Sequence, residues 1–387
     1  MKKGMVIGCL AVILVIFITC TDDQGGSKDP RGSLYAGAAT CVSCHKNITD
    51  LYSHNHHFNS SGNADHDSLR AIINDSNNTV GFVNGQRVVL GEQGAAFYQT
   101  SYKGNQPIHA EKMDVVFGSG VKAQTFAYWK DSQLYQLPLT YLKEEKLWTN
   151  SPGFPVDHPY FTRPVVSRCL ECHASFARVS EKREGNLLRT KQVFDPSVVV
   201  YGIDCERCHG PAAEHVKFHN ENPNVKQAKY ITSIKGLSRQ QQLDLCGTCH
   251  SGDPVPIKSI FNFKPGDQLS KYYVFYSGAS GEPDVHGMQS QLLQLSACFR
   301  QSQMTCSTCH GTHQAESTQL FIEQCKSCHQ QVKHTVDINS GGNNCISCHM
   351  PLRPSKSLDF NNEKEAHNIR YMLRTHRIAV YPPDQWK

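Results

Sequence analysis

The pattern Cys-x-x-Cys-His occurs seven times in this chain, at Cys41–His45, Cys169–His173, Cys205–His209, Cys246–His250, Cys306–His310, Cys325–His329 and Cys345–His349. We number these motifs 1 to 7. Chance, at the chain's own Cys and His frequencies, gives about 0.04 such patterns. The spacing is that of a c-type haem attachment site. Two thiols one helical turn apart bond to the two vinyl groups of one porphyrin, and the adjacent imidazole falls under the iron as proximal ligand. The expected attachment residues are Cys41, Cys44, Cys169, Cys172, Cys205, Cys208, Cys246, Cys249, Cys306, Cys309, Cys325, Cys328, Cys345 and Cys348. The expected proximal ligands are His45, His173, His209, His250, His310, His329 and His349, and the expected cofactors are seven covalently bound haem c groups. Zinc sites pair two CxxC units per metal and need no histidine after each. A disulfide framework fixes no histidine at all.

The spacing of the motifs constrains the fold. Residues 169–349 carry six of them in 181 residues. That is about 30 residues per haem, too few for an ordinary hydrophobic core around each. Porphyrins are expected to form the interior, inside short helices and irregular loops with sparse regular structure. The 123 residues between His45 and Cys169 carry no motif. There, short alternating or aromatic runs (Val80–Val83, Arg87–Leu90, Ala96–Tyr98, Asp114–Phe117, Thr125–Trp129, Gln133–Leu137) are separated by turn signals such as Asn84-Gly85. They predict an antiparallel β-meander, and Gly118-Ser119-Gly120 reads as a turn or bulge within it. The expected class is α+β. The expected divisions are 1–19 signal peptide, 20–34 lipidated N-terminus and linker, 35–78 first haem segment, 79–152 β subdomain, and 153–387 six-haem domain.

Met1-Lys2-Lys3 precedes an apolar run of about 14 residues, too short for a comfortable membrane span but right for a signal-peptide core. Phe17-Ile18-Thr19-Cys20 resembles a bacterial lipobox, although Phe17 and Thr19 depart from its usual residues. Cys20 is therefore expected to carry a lipid anchor on an exported protein facing the periplasm or the cell surface. Asp22 and Asp23 resemble surface-export signals. Of the two cysteines left, Cys9 lies in the leader and Cys298 reads as a small packed side chain. The formal charge of +5 falls by two when Lys2 and Lys3 leave with the leader, and seven haems then reverse it to about −4 oxidised and about −11 reduced. No nucleic-acid role follows from it.

Beyond the motifs, the stretches Tyr35–His45, Tyr201–Pro211, Met304–His310 and Cys345–Pro351 resemble multihaem cytochromes of the cytochrome c-552/4 group. The resemblance implies electron transfer with other redox proteins of the envelope, such as cytochromes or quinol-linked complexes. It also implies distal ligands at His57, His215, His286 and His376. Thirteen histidines outside the motifs point to bis-histidine ligation. His219, one turn beyond His215, His313, three residues after His310, and His109, before the 113–117 strand, join the expected ligands, with His334 in reserve. His54 and His56 compete with His57. His66, His158 and His367 read as structural or exposed, and Met288, Met304 and Met372 as packing residues. Saturated irons make an electron carrier. One iron without its second histidine would instead make a reductase of a small nitrogen or sulfur oxyanion, with no particular catalytic residue indicated. The intact mass of the mature protein checks the count: seven haem additions are expected, and fewer would break the stoichiometry.

Overall fold

The computed structural model describes residues 29–386, apart from 75, 186–188, 276–280, 315, 332–333, 335–343 and 361–368. The leader, Cys9, Cys20 and His367 lie outside the described residues. Among the described residues, no helix is long and apolar enough to cross a membrane.

The motif-free interval folds as β-structure, as its alternation requires. Strands β1 (Ser61–Asn63), β2 (Thr79–Gly81), β3 (Gln86–Gln93), β4 (Ala96–Lys103), β5 (Gln106–Lys112), β6 (Val115–Phe117), β7 (Ala123–Lys130), β8 (Gln133–Leu142), β9 (Leu147–Asn150) and β10 (Arg163–Pro164) form two antiparallel sheets. One has the order β2-β3-β4-β5; the other runs β1-β6-β7-β8-β10, with β9 also on β8. A single meander was expected over 79–152. Two packed sheets are found instead, and the second recruits β1 and β10 from outside that range. The physical reason is burial on one face of each sheet. Val88, Leu90 and Phe97 of the first meet Phe126, Leu139 and Trp148 of the second in one cluster. Gln99, fully buried, ties the sheets: its amide donates to Leu139 O at 3.1 Å and its Oε1 accepts from Leu139 N at 2.9 Å. Gly118 (φ 102°) makes the expected turn after β6, where an added Cβ would strike the Ala123 carbonyl.

In the remainder, short helices carry the motifs. They are Ala38–Tyr52, which runs on past motif 1, and Ser167–His173, Cys205–His209, Arg239–His250, Thr318–Cys328 and Cys345–His349, with a 3-10 turn at Cys306–Thr308. Polar caps start several of them. Asp204 accepts from Arg207 N, Asn344 accepts from Ile346 N, and Ser238 forms a capping box with Gln241. Such caps satisfy the free N–H groups where a five-residue helix has little else to hold it. Two hairpins, Val179–Glu184 with Arg189–Phe194 and Leu352–Phe360 with Ile369–Arg374, exceed the sparse structure expected. A small protein core of Ile260, Phe263, Leu269, Tyr272 and Tyr273 also forms where porphyrins alone were expected to fill the interior.

A buried ionic cluster fastens the segment 29–37 to motif 3. Arg31 contacts Asp29, Asp204 and Glu206 at 2.6–3.1 Å, with side chains at most 5% exposed. Glu206 also accepts from the backbone N–H of Ala36, Gly37 and Ala212. Burial pushes the Asp29 carboxyl up, but its hydrogen bonds from Arg31 outweigh this and hold it below its ordinary value. Its contribution to stability is therefore complete above pH 3.8 and is lost as pH falls through the lower folded value. Arg31→Met leaves buried carboxylates unpaired and is expected to cost about 3–5 kcal/mol, read as a lower midpoint in denaturant at pH 7.

Candidate functional site

The motif helices surround a cavity of ≈ 3260 Å³. A pocket for one small ligand occupies about 300–1,000 Å³, so this space suits several large groups. Cysteines of motifs 1 to 6 line it, as do His45, His173, His209, His250 and His310. None of the motif cysteines is in a disulfide. Among the described residues, no three His, Cys, Asp or Glu side chains converge as a metal cluster, whereas tetrahedral zinc needs four such ligands.

The imidazoles pair across this space. Two imidazoles sharing one metal place their ring centroids about 6.3 Å apart, given a metal–nitrogen bond of about 2.0 Å. His45 faces His215 at 6.3 Å with planes 17° apart. His209 faces His313 at 5.9 Å and 8°. His310 faces His376 at 6.1 Å and 16°. His250 faces His57 at 6.1 Å, but with planes at 82°. His349 faces His334 at 6.4 Å and 55°. His286 lies within electrostatic reach of His173.

The outward nitrogens are fixed too. Nδ1 lies near a backbone oxygen in His173 (Ser60 O, 3.2 Å), His209 (Thr232 O, 3.0 Å), His349 (Ala379 O, 2.8 Å) and His215 (Lys229 O, 2.7 Å). A carbonyl only accepts, so Nδ1 carries the proton and Nε2 keeps its lone pair for a metal. His250 Nδ1 is placed the same way against Gln289 Oε1 at 3.2 Å. Burial holds His57, His173, His286 and His313 below the ordinary imidazole value and His376 down at about 4. These rings are neutral at pH 7, as ligation requires. His219, 4.6 Å from His215, buries an Nε2 without a hydrogen-bond partner. Paired thiols, facing imidazoles and an orphaned ring nitrogen all fit haem c.

One expected ligand, His109, lies apart from the others. His109 does not line the cavity. It sits on β5, the edge strand, with Nε2 2.9 Å from Glu111 and its ring 4.6 Å from Phe161. No residue of its sheet lines the cavity, and His334 is the histidine found facing a motif instead. No imidazole is seen opposite His329 among the described residues. His66 and His158 pair with Glu92 and Asp157, as structural residues do.

Sequence reasoning missed Glu316. Its carboxylate oxygens lie 2.9 and 3.0 Å from His310 Nδ1, where His173, His209, His250 and His349 meet neutral oxygens. Only a Glu six residues after His310 marked it, and no spacing rule singles that out.

Comparisons with known proteins agree with this geometry. The family model described as "Cytochrome c554 and c-prime" matches residues 157–210, a span that holds motifs 2 and 3. The chain is 26% identical to a multiheme cytochrome, MtrA, of Shewanella baltica (strain OS185), over 50% of this chain and 48% of that one. It thus spans about half the length of that curated relative. The crystal structure of outer cell wall cytochrome OcwA shares the fold at a TM-score of 0.51 and 15% identity, over 91% of this chain and 81% of that one. Motifs, cavity, family match and fold together support a multihaem c-type cytochrome.

Glu316→Gln removes the carboxylate that makes His310 a stronger donor. The midpoint potential of one haem should rise by on the order of tens of millivolts in a spectroelectrochemical titration, with haem content unchanged.

Proposed function

We propose that this chain is an exported heptahaem cytochrome of the cytochrome c-552/4 group that relays electrons in the bacterial cell envelope, with most irons held between two histidines. Bound haem supplies one-electron carriers whose potentials follow axial ligand, burial and nearby charge. The protein supplies spacing and ligands. The observation that carries this reading is the set of five facing imidazole pairs at 5.9–6.4 Å.

In this reading His215, His313, His57, His376 and His334 complete motifs 1, 3, 4, 5 and 7. His286 completes motif 2, and His219 stands beside His215 as an additional ligand. Cys20 anchors the mature protein to the membrane by lipid, and its partners are other redox proteins of the envelope. The family resemblance and the names of the two relatives, one a multiheme cytochrome and one an outer cell wall cytochrome, favour this setting.

Carbon monoxide tests the saturation of the irons. It binds reduced haem only where the sixth position is open. The reduced protein should bind little, and His215→Ala should add one binding haem. Stoichiometric binding by the unaltered protein would favour the oxyanion reductase instead.

A further inference from the structure

Motif 4 occupies a distinct position among the attachment sites. Its first thiol, Cys246, lies within electrostatic reach of Cys306 in motif 5. Its second, Cys249, donates through Sγ to Glu171 O of motif 2 at 3.7 Å. The backbone repeats these pairings. The helix Arg239–His250 packs on the helix Ser167–His173 and on the turn Cys306–Thr308. Arg168 donates to Thr248 O at 3.2 Å, and Ser307 Oγ donates to Gln242 at 3.4 Å.

The other motifs form arms. Cys41 of motif 1 meets Cys205 of motif 3, and their helices pack together. Motif 3 then reaches the centre. Cys208 lies within electrostatic reach of Cys246 and Cys249, and Arg207 donates at 3.2 Å to Glu171 O, the oxygen that Cys249 also meets. Beyond motif 5, Cys309 neighbours Cys325, and Cys325 meets Cys345 of motif 7. Motif 2 ends against the β-sandwich: the His173 ring lies 5.7 Å from Phe117, and its Nδ1 faces Ser60.

We propose that motif 4 is a three-way junction, with one arm to motifs 3 and 1, one to motif 2, and one through motif 5 to motifs 6 and 7. Spatial order thus departs from sequence order, and motif 2 is a side branch seated on the sandwich. The inference rests on the electron-relay reading for its purpose, but on the motif contacts alone for its shape. A junction lets three faces of the protein exchange electrons, where a single file joins only two.

The junction carries its own spectroscopic mark. Its ligand planes cross at 82°, against 8–17° for motifs 1, 3 and 5. Parallel imidazoles donate into one iron d orbital and split it from its partner. Crossed imidazoles leave the two nearly degenerate, which makes a low-spin ferric signal strongly anisotropic.

The experiment is low-temperature EPR of the full-length, haem-loaded ferric protein and of its His57→Ala and His313→Ala variants, together with a structure of the loaded protein. The most anisotropic low-spin signal should vanish in His57→Ala and persist in His313→Ala. The irons of motifs 2, 3 and 5 should be the nearest neighbours of the iron of motif 4. An iron order that follows the sequence would overturn the junction, as would an anisotropic signal that survives His57→Ala. A mainly high-spin spectrum from the unaltered protein would instead overturn the relay reading and leave the iron order standing.

Discussion

Two thiols and one imidazole on a single helical turn fix each attachment site, and the rest of the molecule is arranged to bring seven such turns together. The chain does not fill the space it encloses. Its motif helices surround a cavity of ≈ 3260 Å³, and five of the motif imidazoles face a histidine from another segment. His215 answers His45, His376 answers His310, and His57 answers His250. In the proposed ligation this interleaving would make the cofactors complete the fold as well as the function.

Where haems do not hold the chain, ordinary protein forces do. The β-sandwich has a conventional core around Trp148 and Phe126, and β1 joins its second sheet to the segment that follows motif 1. Arg31 binds the start of the described chain to Asp204 and Glu206, directly at motif 3. Both devices steady the short helices against which ligands must align. The Nδ1 contacts of the proximal rings do the same at atomic scale, by fixing tautomer and ring plane.

Much of this was legible from composition and spacing. The motifs announced haem attachment, and alternation at Arg87–Leu90 and Thr125–Trp129 announced strands β3 and β7. The sheet partition was not legible. Strand periodicity names a buried face but not which sheet it faces, and β1 and β10 are too short to show a period. His109 shows the same limit, since a histidine beside a strand carries no mark of which sheet its strand will join. His57, His215, His313 and His376 came from the family resemblance and from their offsets after a motif. Their pairing with particular proximal histidines depends on contacts between segments far apart in the chain, as in His57 with His250, which no local pattern records. Glu316 and Arg31 were invisible for the same reason: each acts through a partner that only the fold supplies.

Near-infrared magnetic circular dichroism of the ferric protein tests the central claim most directly, because its charge-transfer band reports the pair of axial ligands on each low-spin iron. The facing imidazoles predict bis-histidine bands for at least five of the seven irons. A spectrum dominated by histidine–methionine or high-spin bands would contradict it.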